Sequence, residues 1–194
     1  MVNLNNTYCI HREQDNERLT DLKIELDKIG LEPVFIEPLS VDDSIIGAFT
    51  KEMDSLRRTT ISIIDNAIKD DLSYIAIMED DCVFDKQIMD KFLESDLPDD
   101  FDFIHLNVTG GFSAFGFKQK GMFNELMNGE CCQFYIVNRR IFERYKYVLE
   151  NNKIPIDRAT FHLHQRTTSW AVIPHPVVHK PNRDSTLRNK IVKY

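Results

Sequence analysis

The stretch Tyr74-Ile75-Ala76-Ile77-Met78-Glu79-Asp80-Asp81 decides the fold, because its apolar run stops abruptly at three consecutive carboxylates. A short run that is apolar at nearly every position predicts a central strand covered on both faces. In sheets with parallel strands, ligands bind beyond the carboxyl ends of the strands. The three carboxylates therefore mark a candidate site at the end of a buried strand.

The chemistry of this acidic cluster favours a divalent cation. Adjacent carboxylates repel each other, and burying one is costly unless it is paired or bound to a cation. Glu79 and Asp81 would point the same way in an extended segment, and their oxygens suit Mg²⁺ or Mn²⁺. We expect Asp81 to be the first metal ligand and Glu79 the second. The alternative is that Asp80 or Asp81 caps the helix that follows.

The N-terminal segment predicts a βαβ unit. Thr7–Ile10 is a short β-prone run, and residues 34–36 form another. Between them lies an amphipathic helix that Asp15 or Asn16 can cap and that Gly30 ends in a left-handed conformation. Two strands joined by one helix run parallel.

The rest of the chain continues this alternation. Residues 39–54 are predicted to be loop-like. Gly110–Gly121 is predicted to be a loop too, either a mobile loop over a substrate or a connection pinned by Phe side chains. Helices are predicted over 55–69, 84–93 and from Asn138, and strands over 102–107, 132–137 and 171–173. The expectation is an α/β fold with a mostly parallel central sheet flanked by helices, in one domain spanning 1–194.

Composition excludes several classes of protein. The net charge of -7 argues against a protein that coats nucleic acid. No apolar run approaches the ~20 residues that span a bilayer, and the first residues do not resemble a signal peptide. A basic tail over about 180–194 could contact a phosphate-bearing ligand or simply be solvated. No CxxC pair is present and the cysteines lie mostly in apolar runs, which favours a reducing, cytoplasmic location.

With these residues in place, the sequence resembles glycosyltransferase family 25, the lipopolysaccharide-type glycosyltransferases, and more broadly the GT-A fold, which is Rossmann-like. The resemblance rests on five segments: Tyr8-Cys9-Ile10-His11-Arg12 with Arg18, Tyr74 to Phe84, Phe101 to Leu106, Phe134 to Val137, and Ile154-Pro155-Ile156-Asp157. They occur in the same order and cover most of 7–180.

The resemblance implies a transferase that moves a sugar from a nucleotide-diphosphate donor, usually a UDP-sugar, to a glycan or other hydroxyl acceptor. It implies a divalent metal, Mn²⁺ or Mg²⁺, at the acidic cluster, with His179 as a further ligand. His11 and Arg12, just past the first strand, would lie near the donor together with Asp80. Asp157 would lie near the acceptor.

Two further residues are candidates on their own chemistry. Asp157 follows an apolar segment in which desolvation would make it a better base for the acceptor hydroxyl. Its alternatives are a pair with Arg158 or a helix cap. Arg57 could pair with the diphosphate, although adjacent helical residues diverge, so that at most one of Arg57 and Arg58 does so.

Three alternatives remain open at this stage. The histidines at 162, 164, 175 and 179 raise a zinc site, although their spacing matches no strong zinc motif. The chain could be a non-catalytic carbohydrate- or nucleotide-binding module of the same fold. A metal-dependent nucleotidyltransferase or phosphohydrolase also uses paired carboxylates, but no Gly-rich phosphate loop with Lys is present.

Overall fold

The computed structural model describes residues 1–41, 51–130, 133–152 and 154–179, without the side chains of 109–112, 130 and 179. The strands are β1 (Thr7–Ile10), β2 (Val34–Ile36), β3 (Tyr74–Glu79), β4 (Cys82–Phe84), β5 (Phe103–His105), β6 (Thr109–Lys120), β7 (Phe123–Glu130), β8 (Phe134–Asn138), β9 (Ser169–Val172) and β10 (Val177–His179). The helices are α1 (Asn16–Ile29), α2 (Lys51–Lys69), α3 (Lys86–Glu94), α4 (Phe142–Asn151) and α5 (Ile156–His164).

The described strands form an eight-stranded sheet in the order β2-β1-β3-β8-β5-β9-β7-β6, and β4 pairs with β10 in a small second sheet. β1 is parallel to β2 and β3, and β5 is parallel to β9. β8 runs antiparallel to both β3 and β5, and β7 runs antiparallel to β9 and β6. Six strands of this described sheet therefore point one way and only β7 and β8 the other, which confirms the mostly parallel α/β fold.

The opening βαβ unit is confirmed. The helix α1 follows Asp15 and ends at Gly30, whose φ of 65° is left-handed and whose N–H bonds to the carbonyl of Leu26. Gly30 is favoured there because L side chains rarely adopt that conformation. Tyr8 of β1 lies opposite Val34 of β2.

Helices cover both faces of the sheet. On one face, Ala76 and Met78 of β3 share a core with α1 and α3. On the other face, Ile75 and Ile77 share a core with α2, α4 and α5. All four side chains are buried, so the apolar run of β3 is the central strand that the sequence predicts.

The loop predicted over Gly110–Gly121 is wrong, because Thr109–Lys120 is the long strand β6. It pairs with β7 in a hairpin that turns at Gly121, where φ is 58°. A Cβ at Gly116 would clash with the side chain of Glu125 on β7, so this glycine permits close strand packing. The glycines that suggest a loop in the sequence lie instead in the strand and in the turn of a β-hairpin.

Residues 39–54 are also not all loop, since α2 begins at Lys51; residues 42–50 lie outside the described part. The short strands β4 and β10 have no counterpart among the predicted elements. No helix in the described part of the chain is long and apolar enough to cross a membrane.

Candidate functional site

The polar ends of several elements meet at one edge of the large sheet. β1 and β3 end there, at His11 and at Glu79-Asp80-Asp81. β5 leads to Asn107 at the same edge, and the antiparallel β8 begins there, just after Gln133. This convergence follows from strand direction, because parallel strands bring their carboxyl ends together.

Asp80 lies at the centre of a buried ion pair network. Its Oδ2 lies 2.8 Å from His11 Nδ1, and its Oδ1 accepts a 2.9 Å hydrogen bond from Arg18 Nη1. Asp80 and His11 are only 7% and 5% exposed. Both Asp80 oxygens are thus engaged by protein groups, which joins the end of β3 to β1 and α1.

The proposed capping role of the acidic cluster is wrong. The side chain that caps α3 is Asp85, which accepts a hydrogen bond from the N–H of Ile88 at 3.1 Å. Asp80 and Asp81 lie in the turn between β3 and β4. The cluster therefore needs an explanation other than helix capping.

His11 carries an unsatisfied buried atom. Nδ1 lies against Asp80, and the other ring nitrogen, Nε2, is buried with no hydrogen-bond partner among the described residues. The ring packs edge-on against Phe35 of β2 at 6.2 Å between centroids. An orphaned polar atom next to a charged cluster is the pattern that a ligand or an ordered water completes.

Glu79 is in an environment that disfavours its charge. Burial raises the pKa of Glu79 well above its ordinary value, and the negative charges of Asp81, Asp157 and Asp80 raise it further, while Arg18 opposes them. Asp157 is half-buried in the first turn of α5. A residue from a distant part of the chain is therefore brought within electrostatic reach of the acidic cluster, while the predicted place of Asp157 near an acceptor stays a prediction.

Asp81 is held by a chain of amides. Its Oδ1 accepts a 3.3 Å hydrogen bond from Gln133 Nε2, and the Oε1 of Gln133 accepts from Asn107 Nδ2. Gln133 and Asn107 are buried. These two amides fix the orientation of Asp81, and sequence reasoning missed both of them, although each lies directly at the end of an apolar strand.

A cavity of about 570 Å³ opens over the ends of β1, β2 and β3. Its lining carries both signs of charge: the cations are Arg12, Arg18 and Lys51, and the carboxylates are Glu37, Glu52, Glu79 and Asp80. Arg12 pairs with Asp15 at 3.0 Å, which holds its guanidinium at the rim. The cavity thus offers cations for phosphate oxygens beside a group of carboxylates. A larger cavity of about 780 Å³ lies around the N-terminus, away from this cluster.

The expectation that Arg57 faces a diphosphate is corrected by its contacts. Its Nε and Nη2 donate to Asp54 Oδ1, and its Nη1 donates to the carbonyl of Leu149. The residue is 8% exposed and lies between α2 and α4. Arg58 also bonds Asp54, at 2.7 Å. Both arginines compensate one buried carboxylate, so Arg57 serves the packing of helices.

Other predicted residues lie partly outside the described part. The backbone of His179 pairs with Cys82, directly after the acidic cluster, but its side chain is not among those described. The basic tail over 180–194 lies outside the described residues altogether. Cys9 and Cys82 are free and buried, as their apolar surroundings predict.

The zinc alternative gains no support from the described histidines. His164 Nε2 lies 2.9 Å from His105 Nε2, and His175 Nδ1 lies 2.8 Å from the carbonyl of Val172. Burial, aided by His105, lowers the pKa of His164 to about 2. Among the described side chains, no three His, Cys, Asp or Glu residues lie close enough together to hold a metal ion.

The residues present nevertheless fit a hard divalent cation. Glu79 and Asp81 supply carboxylate oxygens, and the negative charges of Asp80 and Asp157 also act on Glu79. Mg²⁺ is ordinarily bound by one or two carboxylates plus substrate phosphates and water, rather than by a cage of protein ligands. A two-carboxylate site beside a cavity that also offers arginine and lysine side chains therefore suits a metal that arrives with a phosphate ligand.

Solved structures share this fold. The chain resembles a glycosyltransferase involved in glycosylation of the major capsid of PBCV-1, with a TM-score of 0.58 at 12% identity over 95% of this chain and 96% of that one. It also resembles a mannose-1-phosphate geranyltransferase from Thermus thermophilus, with a TM-score of 0.48 at 11% identity, covering 86% of this chain and 73% of that one. A nucleoside-diphosphate-sugar pyrophosphorylase from Vibrio cholerae gives 0.46 at 11% identity, covering 90% and 76%.

The first of these likenesses establishes a GT-A-like fold, and the two weaker ones add nothing to it. No protein-family model matches the chain, and no curated protein matches it significantly. Membership of glycosyltransferase family 25 is therefore not shown.

Proposed function

We propose that this chain is a glycosyltransferase that moves a sugar from a nucleotide-diphosphate donor, a UDP-sugar, to a glycan or other hydroxyl acceptor with the help of Mn²⁺ or Mg²⁺. The observation that carries the proposal is the meeting of Glu79, Asp81 and Asp157 at the carboxyl edge, beside a cavity whose lining includes two arginines and a lysine. The likeness in fold to a glycosyltransferase supports it.

The donor would enter the cavity above β1, β2 and β3. Arg12, Arg18 and Lys51 line it and would attract the diphosphate, and guanidinium groups bind phosphate oxygens in two-pronged fashion. Asp80 holds Arg18 in place through the 2.9 Å hydrogen bond. Asp80 is thus a positioning residue for Arg18 and His11, and Nε2 of His11, which has no partner among the described residues, offers a polar atom to a ligand.

Glu79 and Asp81 would hold the divalent cation, which, when bound, would neutralise the charge that develops on the leaving diphosphate. The Asn107–Gln133 pair keeps Asp81 oriented for this role. Electrostatic stabilisation of a leaving group by preorganised charges is usually the largest contribution to the rate. The His179 side chain is a candidate for a third ligand.

Asp157 would remove the proton from the acceptor hydroxyl if the transfer inverts configuration. Its position in the first turn of α5, half-buried and within electrostatic reach of Glu79, supports this role. General base catalysis of this kind contributes about 10²–10⁴ to the rate.

Product analysis tests this reaction against its alternatives. The chain is incubated with Mn²⁺, a panel of UDP-sugars and a mixture of glycan acceptors. Cleavage at the anomeric carbon releases UDP and supports glycosyl transfer. Release of UMP and sugar 1-phosphate would assign a phosphohydrolase or nucleotidyltransferase instead, and donor binding without any turnover would assign the non-catalytic module. The cytoplasmic location stays a prediction from the cysteine pattern.

A further inference from the structure

A second concave site lies on the outer surface between α4 and α5, away from the carboxyl-edge cavity. It is a groove of about 510 Å³, and its polar lining consists of Arg144, Tyr147, Asn152, His162, Gln165 and Arg166. Its floor is apolar and includes Val148, Ile154 and Leu163. None of these residues takes part in the proposed donor site, so the groove is a separate site.

The groove is cationic on an acidic protein. No Asp or Glu is among its described lining residues, although the chain has a net charge of -7. A concave surface with one sign of charge focuses the field and attracts ligands of the opposite sign. The chemistry of the lining therefore selects an anion.

Arg144 and Arg166 differ from six other arginines of the described chain. Six arginines form ion pairs with carboxylates: Arg12, Arg18, Arg57, Arg58, Arg139 and Arg140. Within the described residues Arg144 and Arg166 form none, and the contact that joins them is a 3.2 Å hydrogen bond from Arg144 Nη1 to the carbonyl of Arg166. This bond brings the two residues together and leaves the guanidinium of Arg166 and most of that of Arg144 available to a ligand.

The remaining lining suits a sugar. Tyr147 is 64% exposed, and an exposed aromatic face beside an apolar floor can stack on a pyranose ring, since such rings have apolar faces. The side-chain oxygens of Asn152 and Gln165 can accept hydrogen bonds from hydroxyl groups, while their amide nitrogens already donate to the carbonyl of Val148 and to Asn128 Oδ1. The groove extends from Ile154, just ahead of Asp157 in the chain, along α5 to Arg166.

We propose that this groove binds an anionic group of the acceptor, a carboxylate or a phosphate, with Arg144 and Arg166 as the recognition pair. The assignment of this anion to the acceptor rests on the proposed glycosyl transfer, whereas anion binding in the groove does not. The enzyme would then select acidic over neutral glycans. Binding removes water from the two guanidinium groups, and only an anionic group of the ligand replaces the hydrogen bonds that this water made.

Titration of the complete ¹⁵N-labelled chain, followed by amide chemical shifts, tests the proposal without any donor. The probes are glucuronate, inorganic phosphate and glucose, which separate a carboxylate from a phosphate and from a neutral sugar. We expect glucuronate or phosphate, and not glucose, to shift the amides of Tyr147, His162 and Gln165. A response to glucuronate alone assigns a carboxylate-bearing acceptor, and a response to phosphate alone assigns a phosphate-bearing one.

Variants make the test specific. The double variant Arg144→Ala/Arg166→Ala should weaken binding of the responding anion by about tenfold or more, because two charge-assisted contacts are lost. Arg144→Lys/Arg166→Lys, which keeps the charge but not the planar fork, should be intermediate. Lys86→Ala/Arg139→Ala removes the same charge from exposed positions outside the groove and should bind as the unaltered chain does.

The proposal is overturned if no anion shifts the groove amides, if glucose shifts them equally, or if Arg144→Ala/Arg166→Ala binds as tightly as the unaltered chain. Because no nucleotide is present, these outcomes are independent of donor binding. If the chain binds glucuronate in the groove but transfers no sugar, the proposed anion site stands and only the proposed glycosyl transfer is contradicted.

Discussion

Two buried ionic clusters in this molecule contain similar groups but differ in their balance of charge. In the first, which we call the helix cluster, Asp54 meets Arg57 and Arg58 and is 2% exposed. In the second, the edge cluster, Glu79, Asp80, Asp81 and Asp157 meet Arg18 and His11. The helix cluster has more cations than carboxylates, whereas in the edge cluster the carboxylates are in excess.

The pKa shifts record this difference. Burial by itself raises the pKa of Asp54, but hydrogen bonds and charges from Arg57 and Arg58 lower it below its ordinary value. In the edge cluster burial and three neighbouring carboxylates all raise the pKa of Glu79, and Arg18 does not offset them. A cluster whose one carboxylate is compensated by two arginines of the same helix is structural. A cluster with excess carboxylates at the rim of a cavity is a candidate functional site, and a bound cation is the positive charge that we propose for it.

The largest effect is expected for Asp157→Asn. The amide cannot accept the acceptor proton, so turnover should fall by about 10²–10⁴, while donor affinity and folding remain close to those of the unaltered chain. Steady-state kinetics with calorimetric donor binding separate these quantities. Unchanged turnover in Asp157→Asn would remove it from the mechanism.

Arg57→Ala should have the largest effect on stability. It takes the more buried partner from Asp54 and leaves the carbonyl of Leu149 without its donor. Breaking a buried ion pair costs about 3–5 kcal/mol, which denaturant unfolding measures. Arg58→Ala is the matched control: its side chain is 52% exposed, and an exposed pair is worth about 1 kcal/mol or less. Loss of donor binding without loss of stability in Arg57→Ala would return this residue to the active site.

A smaller effect, opposite in sign for the two clusters, is expected in the pH dependence of stability. Asp54 has a lowered pKa, so its stabilisation is present above the unfolded value of about 3.9 and is lost as pH falls through the lower folded value. Glu79 has a raised pKa, so its own contribution to stability is fully present below the unfolded value of about 4.3 and is lost as pH rises through the folded value.

Two variants isolate these contributions. Asp54→Asn should lose stability relative to the unaltered chain at neutral pH and approach it in acid. Glu79→Gln should match it in acid and become the more stable of the two as pH rises. Urea unfolding at a series of pH values, without divalent metal, measures both. Parallel stability curves for Glu79→Gln and the unaltered chain would contradict the charge imbalance.

The same contrast explains how much the sequence can predict. The apolar run of β3 and its acidic end predict the sheet edge, since strand burial depends on local pattern. Asp157 is proposed as a base from its apolar surroundings and as an acceptor neighbour from a resemblance, and both roles stay predictions. Gln133 and Asn107 are missed, because a polar residue at a strand end gains its role only from the partner that the fold brings to it. Arg57 is misassigned for the same reason, since nothing local to α2 reveals the Leu149 carbonyl as its partner.

The prediction for hairpin β6–β7 fails for a different reason. The glycines of 110–121 suggest a loop by composition, yet Gly116 is required by the approach of Glu125 across the hairpin. Tertiary packing therefore overrides the local propensity, as it commonly does in strands.

Calorimetric titration of the unaltered chain and of Asp81→Ala with a UDP-sugar panel, with and without Mn²⁺, tests the central claim most directly. Arg139→Ala, an exposed substitution outside the cavity, serves as the control. We expect the unaltered chain and Arg139→Ala to bind a UDP-sugar tightly only with Mn²⁺, and Asp81→Ala to bind about tenfold or more weakly, since a metal-ligand contact is lost. Absence of binding to every nucleotide sugar, or equal affinity in Asp81→Ala, would contradict the account.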